Sequence, residues 1–291
     1  MRRMRRQQKK RLLWAVLFLF VVAAVLFYLL PPKGYVPILM YHFVVPESQV
    51  GSSSLDVSVD DFRKQMWFLK TFGYRRVNLD ELYEIKIGRS RPRGREVVVT
   101  FDDGNETYLQ YALPIMERYH IQSVNFLIWN YLKQKDHGSM NLEDVKRISN
   151  HPLVTLGSHT LTHPNLVEIN RESARREVFE SKENLEKALG KPIYYFSYPA
   201  GFCDPETIKL VEEAGYRLAF TTSRKHLNGQ PETPYSLIRI KVSPRQNLLV
   251  FWANISGLIH FAKEIDSWFH QLTVNIRSGT LRDYRLRPAI V

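Results

Sequence analysis

A single cysteine, Cys203, stands in a chain of 291 residues. An intramolecular disulfide is therefore excluded, and stability must come from a core of full size. No low-complexity tract and no internal repeat stand out, so disorder is not expected outside the termini. Acidic side chains are missing from residues 1–11, which hold seven basic ones, and charge of either sign is missing from Leu12 to Leu30 (LLWAVLFLFVVAAVLFYLL). Those 19 residues rise about 1.5 Å each and nearly cross a hydrocarbon core of about 30 Å, as a transmembrane helix does. The apolar run exceeds the roughly 7 to 15 residues of a signal peptide, and no small-x-small site precedes Pro31, so the segment is expected to stay attached. The basic cluster should remain cytoplasmic, which places everything after Pro32 on the outer side of the cell membrane in a single-pass topology. Without that cluster the net charge of +12 falls to +5, too mild and scattered for nucleic acid. The basic stretch Arg89–Arg95 (RSRPRGR) also lacks interleaved aromatics and is rich in turn formers.

What is present is an alternation of buried strands and amphipathic helices. Strands are predicted at Val36–Tyr41, Glu96–Phe101, Ser123–Ile128, Leu153–Leu156, Tyr194–Ser197, Leu218–Thr221 and Leu237–Val242. Helical spacing is predicted around Phe62, Met66 and Leu69, and at Asp80–Ile87, Tyr108–Tyr119, Leu142–Ile148, Arg171–Leu189 and Pro205–Ala214. Phe43–Ser58, with Pro46, Gly51 and three serines, reads as a loop. The fold class is therefore α/β with a parallel sheet, open or closed into a barrel, and chemistry is expected at the C-terminal ends of the strands. The chain divides into a basic segment (1–11), the apolar helix (12–30), a linker (31–34), one large domain (35–245) and a C-terminal extension (246–291). In the extension Phe251, Trp252, Ile255, Leu258, Ile259 and Ala262 repeat at near-helical spacing.

Two chemical constellations lie at strand ends. Asp102 and Asp103 follow EVVVTF, and adjacent carboxylates there repel and resist desolvation unless a cation joins them. His159 and His163 follow a second strand, separated by four residues. Two imidazoles plus one carboxylate form a metal set that leaves positions open for water and substrate. Thr160 stands where a helix-borne metalloprotease would carry its glutamate, and Gly157 and Pro164 favour a loop, so that site type is disfavoured.

Together, TFDDG at 100–104, HTLTHPNL at 159–166 and FSYPAG at 196–201 resemble the NodB-homology polysaccharide deacetylases in order and separation. The resemblance covers roughly residues 35–245. It implies a distorted, incomplete (β/α) barrel and the hydrolytic removal of acetyl groups from N-acetylated glycans. It implies further that Asp103, His159 and His163 hold one divalent metal ion, typically zinc, and that Asp102 is the general base acting on the attacking water. At the third motif it implies a backbone N–H at Ala200, followed by Gly201, that holds the oxyanion. Separately, Tyr198 is a candidate for stacking on a sugar ring, with an apolar strand core as the alternative.

Two departures matter. The family motif commonly begins with an arginine that orients the base, whereas Ser197 stands here; Arg239, on a late strand, is the candidate replacement. The late strand LIRIKV also lacks the family's acid histidine, but VPILMYH resembles the subgroup acting on poly-N-acetylglucosamine, where an early histidine enters the site. That makes His42 the candidate general acid. The expected substrate is an extracellular N-acetylglucosamine polysaccharide, with peptidoglycan amino sugars as the alternative. The membrane and the polysaccharide-synthesis machinery are expected partners. A non-catalytic glycan-binding or assembly protein on the same fold is the competing reading.

Overall fold

The structure, a computed structural model, describes residues 10–11, 13–22, 35–51, 53–222 and 232–257. Residues 13–22 are helical, but the rest of the apolar run 12–30 and most of the basic segment lie outside the described residues. Among the described residues, no helix is long and apolar enough to cross a membrane.

The sheet begins with β1 (Ile38–Tyr41), which lies parallel to β5 (Glu96–Phe101). The next members are β6 (Ser123–Leu127), β7 (Val154–Ser158), β8 (Tyr195–Ser197) and β9 (Leu218–Thr221), each parallel to its predecessor. β10 (Leu237–Ile238) pairs with β9, and β11 (Ile240–Lys241), beyond the single residue Arg239, pairs with β1. One short extended segment thus touches both margins of the sheet. The strand order β10-β9-β8-β7-β6-β5-β1-β11 comes nearly full circle, giving a nearly closed parallel barrel. A two-residue strand, β4 (Arg75–Arg76), pairs with the start of β5.

Side chains alternate across these strands, as the pleat requires. Ile38, Val98, Val124, Phe126, Leu218, Phe220 and Leu237 form one buried cluster. Leu39, Val97, Val99, Phe101, Leu156, Phe196 and Ala219 belong to a second, larger one, packed with the helices. Gly157 is where the first cluster leaves no space: an added Cβ would lie 2.5 Å from the Phe126 ring and 2.9 Å from the Tyr195 carbonyl oxygen. Truncating Phe126, which is fully buried, would cost about 3–5 kcal/mol, because the cavity adds to the lost transfer energy.

The helices follow their apolar spacing. In α1 (Val59–Thr71), Phe62, Met66 and Leu69 are buried, and the Ser58 hydroxyl accepts the Asp61 N–H at 3.0 Å as N-cap. α2 (Leu79–Lys86) follows β4. The stretch expected as one helix over 108–119 starts as a π-helical turn, Tyr108–Ala112, and continues as α3 (Leu113–Tyr119). α4 (Trp129–Gln134) is not signalled by periodicity, being six residues long. α5 is Leu142–Ile148. In α6 (Arg171–Leu189), Ala174, Val178, Ser181 and Leu185 are buried. α7 (Pro205–Glu213) opens with a capping box of Asp204 and Thr207. α8 (Leu248–Ile255) buries Phe251 against Phe68 of α1, with ring centroids 6.0 Å apart. Leu258, Ile259, Ala262 and the remainder of the extension lie outside the described residues.

One expectation needs correction. Phe43–Ser58 is not wholly loop: β2 (Phe43–Val45) lies parallel to β3 (Asp56–Ser58), with Val44 and Val57 fully buried. Three residues are too few for a period-two pattern to show.

Candidate active site

The two aspartates part company because of the strand that delivers them. Asp102 continues the alternation of Val98 and Thr100 toward the barrel axis and is buried, whereas Asp103 turns out of the strand with φ 70°. Thr160 (φ 71°), His163 (φ 64°) and Ala200 (φ 52°) are also left-handed, so each of the three motifs carries a non-glycine residue in this region. Such positions cost on the order of 1–3 kcal/mol each unless the surroundings enforce them, and they concentrate at functional sites.

His159 follows β7, and His163 follows on the loop beyond it. Their Nε2 atoms lie 3.7 Å and 3.8 Å from Asp103 Oδ1. One donor atom from each of these three residues lies within 4.8 Å of the others. The donor set fits a cation on three grounds. Asp103 Oδ1 is buried and has no hydrogen-bond partner among the described residues, a costly condition that a cation would relieve. The His159 Nδ1–H donates to the Ser197 carbonyl at 2.7 Å, which fixes the tautomer and leaves the Nε2 lone pair free. Burial also keeps both imidazoles neutral, pushing His159 down to about 3 and lowering His163. Asp103 is pushed up to about 6, first by burial and then by the neighbouring Asp102 charge, so this carboxylate is short of positive charge.

Asp102 has the opposite environment. Burial alone would raise its pKa, but the charge and hydrogen bonds of the Arg239 guanidinium outweigh it and hold the carboxyl well below the usual range. Arg239 is itself fully buried and forms a fork: Nη1 donates to Asp102 Oδ1 at 2.7 Å and Nη2 to Oδ2 at 2.6 Å. Nη2 also donates to the Ser197 hydroxyl at 2.8 Å. The position where the family pattern has arginine is thus a small acceptor, and the cation beside it arrives from the barrel's last strand. His42, at the end of β1, places Nε2 4.0 Å from Asp102 Oδ2, beyond a direct hydrogen bond but within one-water range. Burial lowers its pKa, with Asp102 and Asp103 partly offsetting that effect.

The third motif forms a tight turn, Pro199–Gly201, after β8. Gly201 (φ 76°) is required there, because a Cβ would lie 2.1 Å from Thr222 Oγ1 and 2.7 Å from its backbone nitrogen. Tyr198 corrects an expectation: its side chain is fully buried against Phe196, and its hydroxyl donates to the Tyr235 carbonyl at 2.9 Å, so it belongs to the core and not to the cleft. Tyr195 is similarly engaged, donating to Asp80 at 2.8 Å. Cys203 is buried, and burial raises its thiol to about 11. Glu177 is a residue that sequence reasoning does not single out. Its carboxylate receives two backbone N–H groups of the histidine loop, and nothing in the composition of α6 distinguishes it from its charged neighbours.

Residues 89–219 match the family model described as polysaccharide deacetylase. That span contains Asp102, Asp103, His159 and His163 but neither His42 nor Arg239. A protein of Bacillus subtilis described as the putative polysaccharide deacetylase YxkH is 28% identical over 223 residues, 77% of each chain. The poly-beta-1,6-N-acetyl-D-glucosamine N-deacetylase of Staphylococcus epidermidis is 25% identical over 198 residues, covering 64% of this chain and 68% of its own. Among solved structures, the Streptococcus pyogenes deacetylase PplD in complex with acetate superposes with a TM-score of 0.68 at 25% identity, over 77% of this chain and 99% of that one. IcaB from Ammonifex degensii gives 0.65 at 26% identity, over 77% and 96%.

Proposed function

This chain carries a polysaccharide deacetylase domain, and we propose that it hydrolyses N-acetyl groups of an extracellular poly-N-acetylglucosamine, acting from the membrane through an N-terminal anchor. The observation that carries the reading is the pairing, on one rim, of an arginine-held carboxylate with an adjacent Asp-His-His donor set. The non-catalytic alternative gives no reason for keeping either so complete.

Asp103, His159 and His163 would hold a divalent ion, for which zinc suits the nitrogen-rich set. When bound, such an ion supplies Lewis acidity, lowering the pKa of a water and polarising an amide carbonyl. The chain's own groups do the rest. Asp102, kept ionised by Arg239, accepts a proton from the water that adds to the acetamide carbon. The Ala200 backbone N–H is offered to the oxygen as negative charge develops there, the Gly201 N–H being already donated to the Tyr198 carbonyl at 2.8 Å. His42, in protonated form, gives its proton to the amide nitrogen as the C–N bond breaks, so acetate and a free sugar amine leave. Water is consumed, and the proton taken by Asp102 balances the one given by His42 once the two exchange through solvent.

The substrate reading draws on the Staphylococcus epidermidis relative and on the MYH motif that ends in His42. The anchor and the outward orientation draw on the charge-free run and its basic flank. The test is acetate release by the full chain in detergent, from β-1,6-linked N-acetylglucosamine oligomers and, in parallel, from peptidoglycan fragments. Chelator-sensitive release from the former is expected. Release only from peptidoglycan would replace the substrate, and no release from any N-acetyl glycan by metal-loaded protein would refute the activity.

A further inference from the structure

The loop that carries both histidines is left-handed at two non-glycine positions, Thr160 and His163, and the backbone between them is tied down by hydrogen bonds from two sides. Behind it, between the start of α4 and the flank of α6, lies a cavity of about 330 Å³ lined by Trp129, Asn130, Leu161, Thr162, Arg176 and Glu177 among others. Hydrogen bonds to the loop backbone fix its conformation. On one side, the Trp129 and Asn130 N–H groups donate to the Thr160 and Leu161 carbonyls at 3.2 and 2.9 Å. On the other, a single side chain receives everything. Glu177 Oε2 accepts the Leu161 N–H at 2.8 Å and the Thr162 N–H at 2.9 Å, and Oε1 accepts the Thr162 hydroxyl at 2.6 Å. The Thr160 hydroxyl then closes the turn by accepting the His163 N–H at 2.9 Å.

We propose that Glu177 is the positioning residue of the metal site: its carboxylate, clamping Leu161 and Thr162, holds His159 and His163 at the spacing the ion needs. Glu177's hydrogen bonds go to Leu161 and Thr162 and not to a ligand ring, so it acts through the backbone between the two histidines, with its charge also bearing on His163. It sits on α6, whose buried residues Ala174, Val178, Ser181 and Leu185 anchor the helix to the barrel, so the clamp is referred to a rigid element. A carboxylate is suited to this task because it alone among side chains presents two oxygens and no hydrogen, matching three converging donors. The inference rests on the metal-dependent reading of the site.

The experiment is a zinc dissociation constant, measured by competition with a chromogenic chelator on the full chain in detergent, alongside the melting temperature of the metal-free protein. Outer-shell substitutions commonly weaken metal affinity about 10- to 100-fold. Glu177→Ala is expected to fall in that range while the metal-free melting temperature changes by only a few degrees. Glu177→Gln, which keeps one acceptor oxygen, should recover part of the affinity, and Thr162→Ala should lose a smaller factor. Glu180→Ala, one turn further along α6 and bonded to Arg176 instead of the loop, should bind zinc as the wild type does. Zinc affinity of Glu177→Ala within about threefold of wild type would overturn the proposal. If that variant does not fold, unchanged affinities in both Glu177→Gln and Thr162→Ala would overturn it equally. Wild-type protein that binds no zinc would instead refute the functional reading beneath it.

Discussion

Replacing Arg239 by Met removes the cation while keeping the volume of the side chain's stem. Asp102 would be left 3% exposed with its charge uncompensated. Breaking a buried, hydrogen-bonded ion pair from one side costs about 3–5 kcal/mol, since the remaining charge keeps its desolvation penalty and loses its partner. For a domain of this size each kcal/mol moves the melting temperature by roughly 2–4 °C, so a drop of roughly 6–20 °C is expected at neutral pH. The pH dependence has a definite sign. In the wild type the carboxyl is held below its unfolded value, so its contribution is fully present above the unfolded pKa of about 4 and is lost as pH falls through the folded one. In Arg239→Met burial raises the carboxyl instead, and the folded state gains by taking a proton. The stability gap between the two proteins should therefore narrow as pH falls. The assay is thermal unfolding in chelator across pH 4–8, with Asp102→Asn and the double variant completing a cycle. The amide introduced by Asp102→Asn carries no charge, so the double variant should recover much of the loss. A coupling below about 0.5 kcal/mol would show that Arg239 does not support Asp102, and the account of the base would fail.

Three further outcomes follow. Asp103→Ala, which removes the shared donor, should abolish acetate release and reduce zinc binding at least 100-fold; retention of tight stoichiometric zinc would refute the ligand set. His42→Gln should lower kcat about 10²- to 10⁴-fold while leaving zinc affinity within a few fold, the range expected for loss of a general acid; an unchanged kcat would remove His42 from the reaction. Cys203, buried and with its thiol pushed up to about 11, should resist alkylation in the native protein at pH 8 and react only on unfolding; rapid native labelling would contradict its burial.

The parts of the site legible in the sequence are those whose partners are near in the chain. Asp102 and Asp103 adjoin, His159 and His163 are one short loop apart, and the strands delivering both are continuous apolar runs. Arg239 is no more than a candidate at that level, because its partner Asp102 is 137 residues away and nothing local in LIRIKV marks one basic residue as inward-facing. Glu177 is invisible for a related reason: among the many charges of α6, the one that turns to the histidine loop is selected by tertiary geometry alone. Tyr198 misleads in the other direction, its place inside a recognisable motif suggesting a contact that the alternation of β8 denies it. The α/β class with a parallel sheet is readable from the alternation of elements, and the incomplete barrel only from the resemblance carried by the three motifs. Its near closure is not, since that depends on one residue separating two pairings in a segment that reads as a single strand.

That single residue gives the protein a property no motif records. The seam between β10 and β11, where the sheet's two margins meet, is the same place from which the guanidinium reaches Asp102. A chain that ends after β9 already possesses both aspartates, both histidines and the Pro-Ala-Gly turn, but its Asp102 lacks the guanidinium partner and the sheet margins at β9 and β1 are unsealed. Arrival of the last strand seals the sheet and charges the site in one event. Proteolytic loss of the chain from residue 237 onward should therefore yield a fragment that bears every recognisable motif and performs no hydrolysis, which makes completeness of the fold a condition of activity.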